Sequence, residues 1–324
     1  MPRVSRRFRL SIVLIAVVVA ALVYGRYRFE LAATRQRLAG ASEIATTPCG
    51  PIEYAGVGAG PPILVVHGAG GGFDQGLLMA EGLVSAGYQA IAVSRFGYLR
   101  TPLPADASPT AQADAHACLL DALRIERVAV LGASAGAPSS LELAIRHPER
   151  VTALILLVPA TYLPESGGAG AEVPPGLQWL FRTALRWDLP FWVASKIARP
   201  TLIRSVLGTP PELLESASAE ERRHVANMLD FVLPVSERRL GLLNEAEVTT
   251  TLQRFALERI RAPTLIISAE DDLYGTFERG RYTATQIPGA TFVGYPSGGH
   301  LLVGREAETT AEMVGLLQRA LTAP

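Results

Sequence analysis

Residues 132–136 read Gly-Ala-Ser-Ala-Gly, a serine whose neighbours are all small. A serine hydroxyl attacks a carbonyl carbon only when a base takes its proton and the backbone presents it clear of its surroundings. A Gly-x-Ser-x-Gly turn between a strand and a helix achieves the second, because small flanking residues let strand and helix pass closely. The base has to come from five histidines. His67 lies in a glycine-rich loop, His116 and His147 lie within or at the ends of helical segments, and His224 lies in a stretch of helical pattern. All four are settings of packed or solvent-facing imidazoles. His300 remains. It closes the small-residue loop Ser297-Gly298-Gly299-His300 just past the last strand-like run, and it is the expected base. An acid must fix its tautomer, and Glu270-Asp271-Asp272 follows the strand-like run 264–268. Asp272 is the first choice and Asp271 the second, so the chain order is serine, aspartate, histidine.

A tetrahedral intermediate also needs two backbone N–H donors aimed at its oxyanion. Ala135 follows Ser134 directly and opens a helix, whose dipole favours negative charge. The second donor is expected from His67-Gly68-Ala69-Gly70-Gly71-Gly72, with Ala69 first and Gly70 second. No GKS or GKT follows this loop and no GxGxxG opens it, which sets a phosphate cradle aside.

These residues all stand at the ends of strand-like runs, so the elements carrying them are the next question. Short apolar runs at 63–66, 89–93, 127–131, 151–158, 264–268 and 291–295, with a further strand at 51–57, are separated by helical patterns. One helix is expected over 75–86. Another should start at Ser108 as N-cap with Pro109 at its first position and run to Leu123. A third leads from the serine turn to His147, and a last one covers 306–320. Strands alternating with helices predict an α/β fold with a doubly wound, mostly parallel sheet. Between 159 and 261 the alternation lapses into helical pattern, which reads as an inserted cap. The expected organisation is an N-terminal hydrophobic segment over 1–25, a connector over 26–47, a core from 48–158 and 262–324, and a cap over 159–261.

Composition narrows the class of function. The chain has 324 residues, 49% of them apolar, and 30 acidic residues balance 30 basic ones. No charge excess points to nucleic acid, so a small molecule is the expected partner. Two cysteines are too few for a disulfide framework. Cys118, on the apolar side of a helical segment, reads as a packed thiol, since free cysteine behaves as a small buried hydrophobe; a bridge to Cys49 stays open and would need an oxidising compartment. Arg3, Arg6, Arg7 and Arg9 precede an apolar run from Leu10 to Tyr24. This has the form of a signal peptide's charged and hydrophobic regions. As a helix it would extend about 22 Å against a hydrocarbon core of roughly 30 Å. Arg26, Arg28, Arg35 and Arg37 follow it without a good small-x-small cleavage site, so an uncleaved membrane anchor is expected, in an inner membrane or on an exported chain.

Several separate blocks resemble the α/β-hydrolase superfamily, near its esterase, lipase and carbon–carbon hydrolase branches. Ile63 to Gly72 is similar to the family's strand and HG oxyanion loop. Ser94-Arg95-Phe96-Gly97-Tyr98 is similar to its next strand-end loop, and AIRHPERV, 144–151, to its helix exit after the nucleophile. The resemblance runs from about Pro51 to the carboxyl end. It implies the α/β-hydrolase fold, selects Asp272 as the fourth residue of Ala269-Glu270-Asp271-Asp272, and implies acyl transfer to water with neither metal nor organic cofactor. Two departures are visible: Ser94 stands where many members carry aspartate, and Ala135 replaces a larger residue, which should widen the pocket.

Trp179, Trp187 and Trp192 all fall in the cap beside Phe181 and Phe191, and suggest an apolar pocket. Gly68, Phe73, Trp179 and Trp187 are the candidate substrate contacts, and a small apolar carboxylic ester is the expected substrate. The rival readings are carbon–carbon bond hydrolysis or a cofactor-free oxidative reaction on the same fold, and a membrane-tethered binding protein without turnover.

Overall fold

Eight strands form one sheet: β1 (Glu43–Thr47), β2 (Gly50–Val57), β3 (Pro62–Val66), β4 (Gln89–Val93), β5 (Val128–Ala133), β6 (Val151–Leu157), β7 (Thr264–Ala269) and β8 (Thr291–Tyr295). Their order is β1-β2-β4-β3-β5-β6-β7-β8. β1 and β2 pair antiparallel, as do β2 and β4, and every later pairing is parallel. The central strands are continuous apolar runs because helices cover both faces of a parallel sheet. Accordingly Leu64, Val66, Val130, Leu131, Leu154, Ile155, Leu156, Ile266 and Ile267 are wholly buried. The computed structural model describes residues 6–164 and 183–322, and the chain divides into two compact units, Met1–Ala41 and Ser42–Pro324.

In the first unit α1 (Arg6–Ala39) is a 34-residue helix. Among the described residues no helix is long and apolar enough to cross a membrane. The anchor expected from the sequence is therefore not supported: the apolar run stops at Tyr24, and the same helix continues through charged residues that include an Arg26–Glu30 ion pair of 2.8 Å.

The second unit supplies the sheet and its helices. α2 (Phe73–Met79) and α3 (Glu81–Ser85) replace the single helix expected over 75–86. α4 (Pro109–Ala122) starts as its sequence foretells, with Pro109 at its start and the Ser108 hydroxyl accepting from the Ala111 N–H at 3.2 Å. α5 (Ala137–Arg146) follows the serine turn. Residues 43–47, read as connector, are instead the edge strand β1, closed on β2 by a tight hairpin with Thr47 opposite Gly50. That hairpin also corrects the thiol reading. Cys49 in its turn is disulfide-bonded to Cys118 of α4, with the two Cα atoms 6.1 Å apart. The apolar side of α4 that carries Cys118 is covered by an element whose polar sequence concealed it.

Between β6 and β7 the described residues form α6 (Asp188–Ile197), α7 (Arg199–Val206), α8 (Leu213–Ser216), α9 (Ala219–Asp230) and α10 (Val235–Thr250). α9 opens with a capping box in which Ser218 and Glu221 satisfy each other's backbone N–H groups. Ile203, Leu207, Val225, Met228 and Leu229 cluster with Leu78 of α2 and Val303 beyond β8, so these helices close over the carboxyl ends of the strands. α11 (Thr276–Gln286) and α12 (Glu306–Thr322) complete the core.

Candidate active site

The turn after β5 carries Ser134 at φ +49°, a left-handed conformation that a non-glycine residue holds only when its surroundings enforce it. The glycines explain the enforcement. A Cβ on Gly132 would lie 2.3 Å from the Ser140 Oγ, and one on Gly136 would lie 2.5 Å from the Val66 carbonyl oxygen. Strand and helix therefore cross at a separation that only glycine permits. A Cβ on Gly68 would come within 3.1 Å of the Ser134 Cβ, so the oxyanion loop also rests against the serine.

His300 follows β8 and Asp272 follows β7, and the two meet: His300 Nδ1 lies 2.8 Å from Asp272 Oδ2. The buried carboxylate only accepts, so Nδ1 carries the proton of this contact and Nε2 is left free of Asp272. Asp272 is itself held fast, with Oδ1 accepting the Tyr274 N–H at 2.8 Å and Oδ2 accepting the Thr276 hydroxyl. Asp271 has a different task. Its Oδ1 accepts the N–H groups of Gly298 (2.9 Å) and Gly299 (2.7 Å) and so shapes the loop that carries His300. The cap contributes Gly208, whose carbonyl accepts from Leu273 (3.0 Å) and His300 (3.3 Å). Gly208 has φ +55°, and a Cβ there would strike the Tyr274 ring at 2.6 Å. That ring stands edge-on to His300 with centroids 4.8 Å apart. Its hydroxyl is tucked against the Ser205 and Val206 carbonyls although the residue as a whole is partly exposed, and burial followed by the charge of Asp272 pushes the phenol up to about 12.

Ser134, His300, Gly68 and Ala69 line one cavity of about 200 Å³. The rest of its wall is largely apolar, with Leu78, Leu157, Leu207, Val225, Met228 and Met313, and it also includes Glu221, His224 and Glu306. His224, read from the sequence as packed or solvent-facing, is thus part of the cavity wall; nothing local in the sequence signals this, because the fold of α9 over the sheet places it there. Phe73 is wholly buried at the start of α2, and its N–H donates to the Ser94 Oγ at 3.1 Å, outside the described wall. Trp187 is 67% exposed and Trp192 is buried, neither of them on that wall. Trp179 lies outside the described residues. Ala135 is buried behind the serine, and its carbonyl accepts from Arg95 Nη1 at 3.1 Å. The Gly70 N–H donates to the Tyr98 hydroxyl at 3.4 Å, which leaves Ala69 the better placed of the two loop donors. Ser94 is braced despite the absence of an aspartate: its hydroxyl donates to buried Glu53 at 2.8 Å, and Glu53 also pairs with Arg100 at 2.7 Å.

A family model described as alpha/beta hydrolase fold matches residues 61–306. The chain belongs to the α/β-hydrolase family. It is 28% identical over 287 residues to an uncharacterized hydrolase, YcgS, of Bacillus subtilis (strain 168), covering 85% of this chain and 98% of that protein. It is 24% identical over 259 residues to a 2-hydroxy-6-oxo-6-phenylhexa-2,4-dienoate hydrolase of Burkholderia cepacia, covering 77% and 84% respectively. Among solved structures, an alpha/beta hydrolase fold protein from Nakamurella multipartita is similar, with a TM-score of 0.67 and 31% identity over 86% of this chain and 99% of that one. In this α/β-hydrolase Ser134 and His300 reach one cavity, with Asp272 bonded to His300 off its wall, and the sheet has the mostly parallel order foreseen for it.

Proposed function

We propose that this α/β-hydrolase is a serine hydrolase of small, uncharged apolar carboxylic esters, with Ser134 as nucleophile, His300 as base and Asp272 as the acid that orients it. The observation that carries the reading is the 2.8 Å contact of His300 Nδ1 with Asp272, made by a histidine that lines the same cavity as the strained Ser134. Ser134 Oγ bonds to the acyl carbon as its proton passes to His300 Nε2. The same proton then leaves on the departing alkoxide as the ester C–O bond breaks. Water passes a proton to His300 Nε2 as its oxygen adds to the acyl carbon; the acyl C–Oγ bond then breaks, the proton returns to Ser134 Oγ, and the carboxylic acid leaves. The N–H groups of Ala69 and Ala135 are the proposed oxyanion donors.

The wall of the cavity supports an uncharged substrate. Among its described residues there is no lysine or arginine, whereas Glu221 and Glu306 are both present. A dienoate, the substrate named for the Burkholderia relative, carries a carboxylate that would meet acidic neighbours and, among the described residues of the wall, no fixed cation, which places carbon–carbon hydrolysis second. The Cys49–Cys118 bridge supports maturation in an oxidising compartment, in keeping with the export-like pattern at the amino terminus. The test is a fluorophosphonate applied to the wild type and to Ser134→Ala, with adduct mass and position read by mass spectrometry. One adduct on Ser134, absent from the variant, is the expected result. A folded wild-type protein that takes up no label overturns the hydrolase reading and brings the binding-protein alternative forward.

A further inference from the structure

Behind the oxyanion loop lies a buried polar cluster whose members come from distant parts of the chain. The Arg95 guanidinium donates through Nη2 to the Gly68 carbonyl at 3.1 Å and through Nη1 to the Ala135 carbonyl at 3.1 Å. Its charge is met by Glu245 of α10, at 2.8 and 2.7 Å to the two carboxylate oxygens. The Arg95 N–H donates to His67 Nε2 at 3.1 Å, and His67 Nδ1 lies 2.6 Å from the same Gly68 carbonyl. A carbonyl only accepts, so Nδ1 bears the proton and Nε2 the lone pair, the neutral tautomer. Burial, then the neighbouring Arg95 charge, holds this imidazole well below its ordinary pKa, in agreement with that tautomer.

The Gly68 carbonyl thus receives two side-chain donors, and the Gly71 N–H of its own loop at 3.4 Å. In a planar trans peptide the carbonyl and the following N–H point in opposite directions, so fixing the Gly68 oxygen turns the Ala69 N–H away from Arg95. Gly68 and Ala69 face the cavity of Ser134 and His300.

α10 grips the same region at two further points. It buries Arg238, Gly241 and Glu245, spaced i, i+3 and i+7 on one face. Arg238 donates to the Gly71 carbonyl and pairs with Asp74 at 3.2 and 2.8 Å. A Cβ on Gly241 would fall 2.2 Å from the Tyr98 ring, and the Tyr98 hydroxyl donates to Glu245.

We propose that Arg95 is a positioning residue for the oxyanion hole, held in place by Glu245, so that α10 is a fixed part of the catalytic apparatus and not a lid. This rests on the serine-hydrolase reading above. A guanidinium suits the place because its two terminal nitrogens reach two separate carbonyls, Nη1 that of Ala135 and Nη2 that of Gly68, while Nη2 also meets the carboxylate, a spread that a single ammonium does not match. Stability alone does not call for the pair, since apolar residues of similar volume commonly replace a buried ion pair without loss of fold.

The experiment compares wild type, Arg95→Lys, Glu245→Gln and the double variant Arg95→Met/Glu245→Leu. The readouts are p-nitrophenyl ester kinetics, inhibition by a trifluoromethyl ketone that forms a tetrahedral adduct, melting temperature and fluorophosphonate labelling. Removing one oxyanion donor lowers kcat by about 100- to 1000-fold, so misaiming one should cost about 10- to 100-fold. The expected result is that loss in kcat for Arg95→Lys and the double variant, with KM within threefold, melting temperature retained and the ketone weakened in proportion. A double variant that keeps both kcat and ketone affinity within twofold overturns the proposal. Should that variant not fold, Glu245→Gln decides, an unchanged kcat and ketone affinity overturning it equally. A wild type unlabelled at Ser134 overturns the hydrolase reading and the positioning role with it, whereas a labelled wild type with unaffected variants overturns the positioning role alone.

Discussion

Acidification should destabilise this protein through two imidazoles that have no direct part in the proposed chemistry. His67 and His116 are both wholly buried. Burial, reinforced by the charge of Arg95, lowers His116 to about 3 and holds His67 well below the ordinary range. In the unfolded chain both take up a proton below about pH 6.5. The unfolded state therefore binds more protons between about pH 6.5 and 3, and stability, complete above that window, falls as pH descends through it. His116 alone costs about 1.4 kcal/mol per pH unit once the pH is well below 6.5, or about 2 kcal/mol by pH 5. That is a sizeable part of a total that for ordinary domains is roughly 5–15 kcal/mol, and His67 acts in the same direction. His116→Met isolates one of them, since it removes the titrating ring of α4 at similar volume. Urea unfolding of wild type and variant at pH 7.5, 6.5, 5.5 and 5.0 gives the difference in stability at each pH. That difference should move by about 2 kcal/mol in the variant's favour between pH 7.5 and 5. Parallel curves, within about 0.5 kcal/mol, would show that His116 is protonated in the native state or already neutral in the unfolded one, and would refute the reasoning.

The other expectations concern the site and its frame. Asp272→Asn should lower kcat by about 10⁴-fold through the wrong imidazole tautomer, with the fold intact by circular dichroism. Asp271→Asn, which weakens only the acceptor for the Gly298 and Gly299 amides, should cost far less in the same assay. Met228→Trp should shift the preferred p-nitrophenyl ester to shorter acyl chains at similar thermal stability, because Met228 lines the cavity from α9. The Cys49–Cys118 bridge closes a loop with a sequence separation of 69 residues. On the chain-entropy account its reduction should cost about 4 kcal/mol, read as a lowered urea midpoint, and the native protein should show no thiol reactive to maleimide.

The parts legible in the sequence are those decided over short stretches. The serine turn declares itself because Gly132, Ala133, Ala135 and Gly136 are small for a reason the crossing of β5 and α5 makes visible. The central strands are legible as unbroken apolar runs, and Ser108 with Pro109 marks the start of α4. His300 was reachable because a loop of small residues after a strand leaves few other uses for an imidazole. What stayed hidden depends on partners far apart in the chain. Nothing in the local sequence sets Arg238 and Glu245 apart from ordinary helix charges, yet they meet partners 164 and 150 residues away and are buried there. β1 carries no apolar run, since its residues line an edge and three of its five are exposed. The pairing of Cys49 with Cys118 depends on that same unseen hairpin. Trp187 and Trp192 lie off the described cavity wall for a related reason: aromatic rings announce burial or contact in general, not which wall they join.

The division of labour within the inserted helices bears on how such a protein diverges. α7 and α9 bring Val206, Leu207, His224, Val225 and Met228 to the cavity, while α10 is bolted to the loop beside the nucleophile. On the proposed function, substrate range and the aim of the oxyanion loop would rest on different helices of one insertion. Changes in the first pair would then alter what fits the cavity, whereas changes at Arg238, Gly241 or Glu245 would disturb the frame of the loop itself.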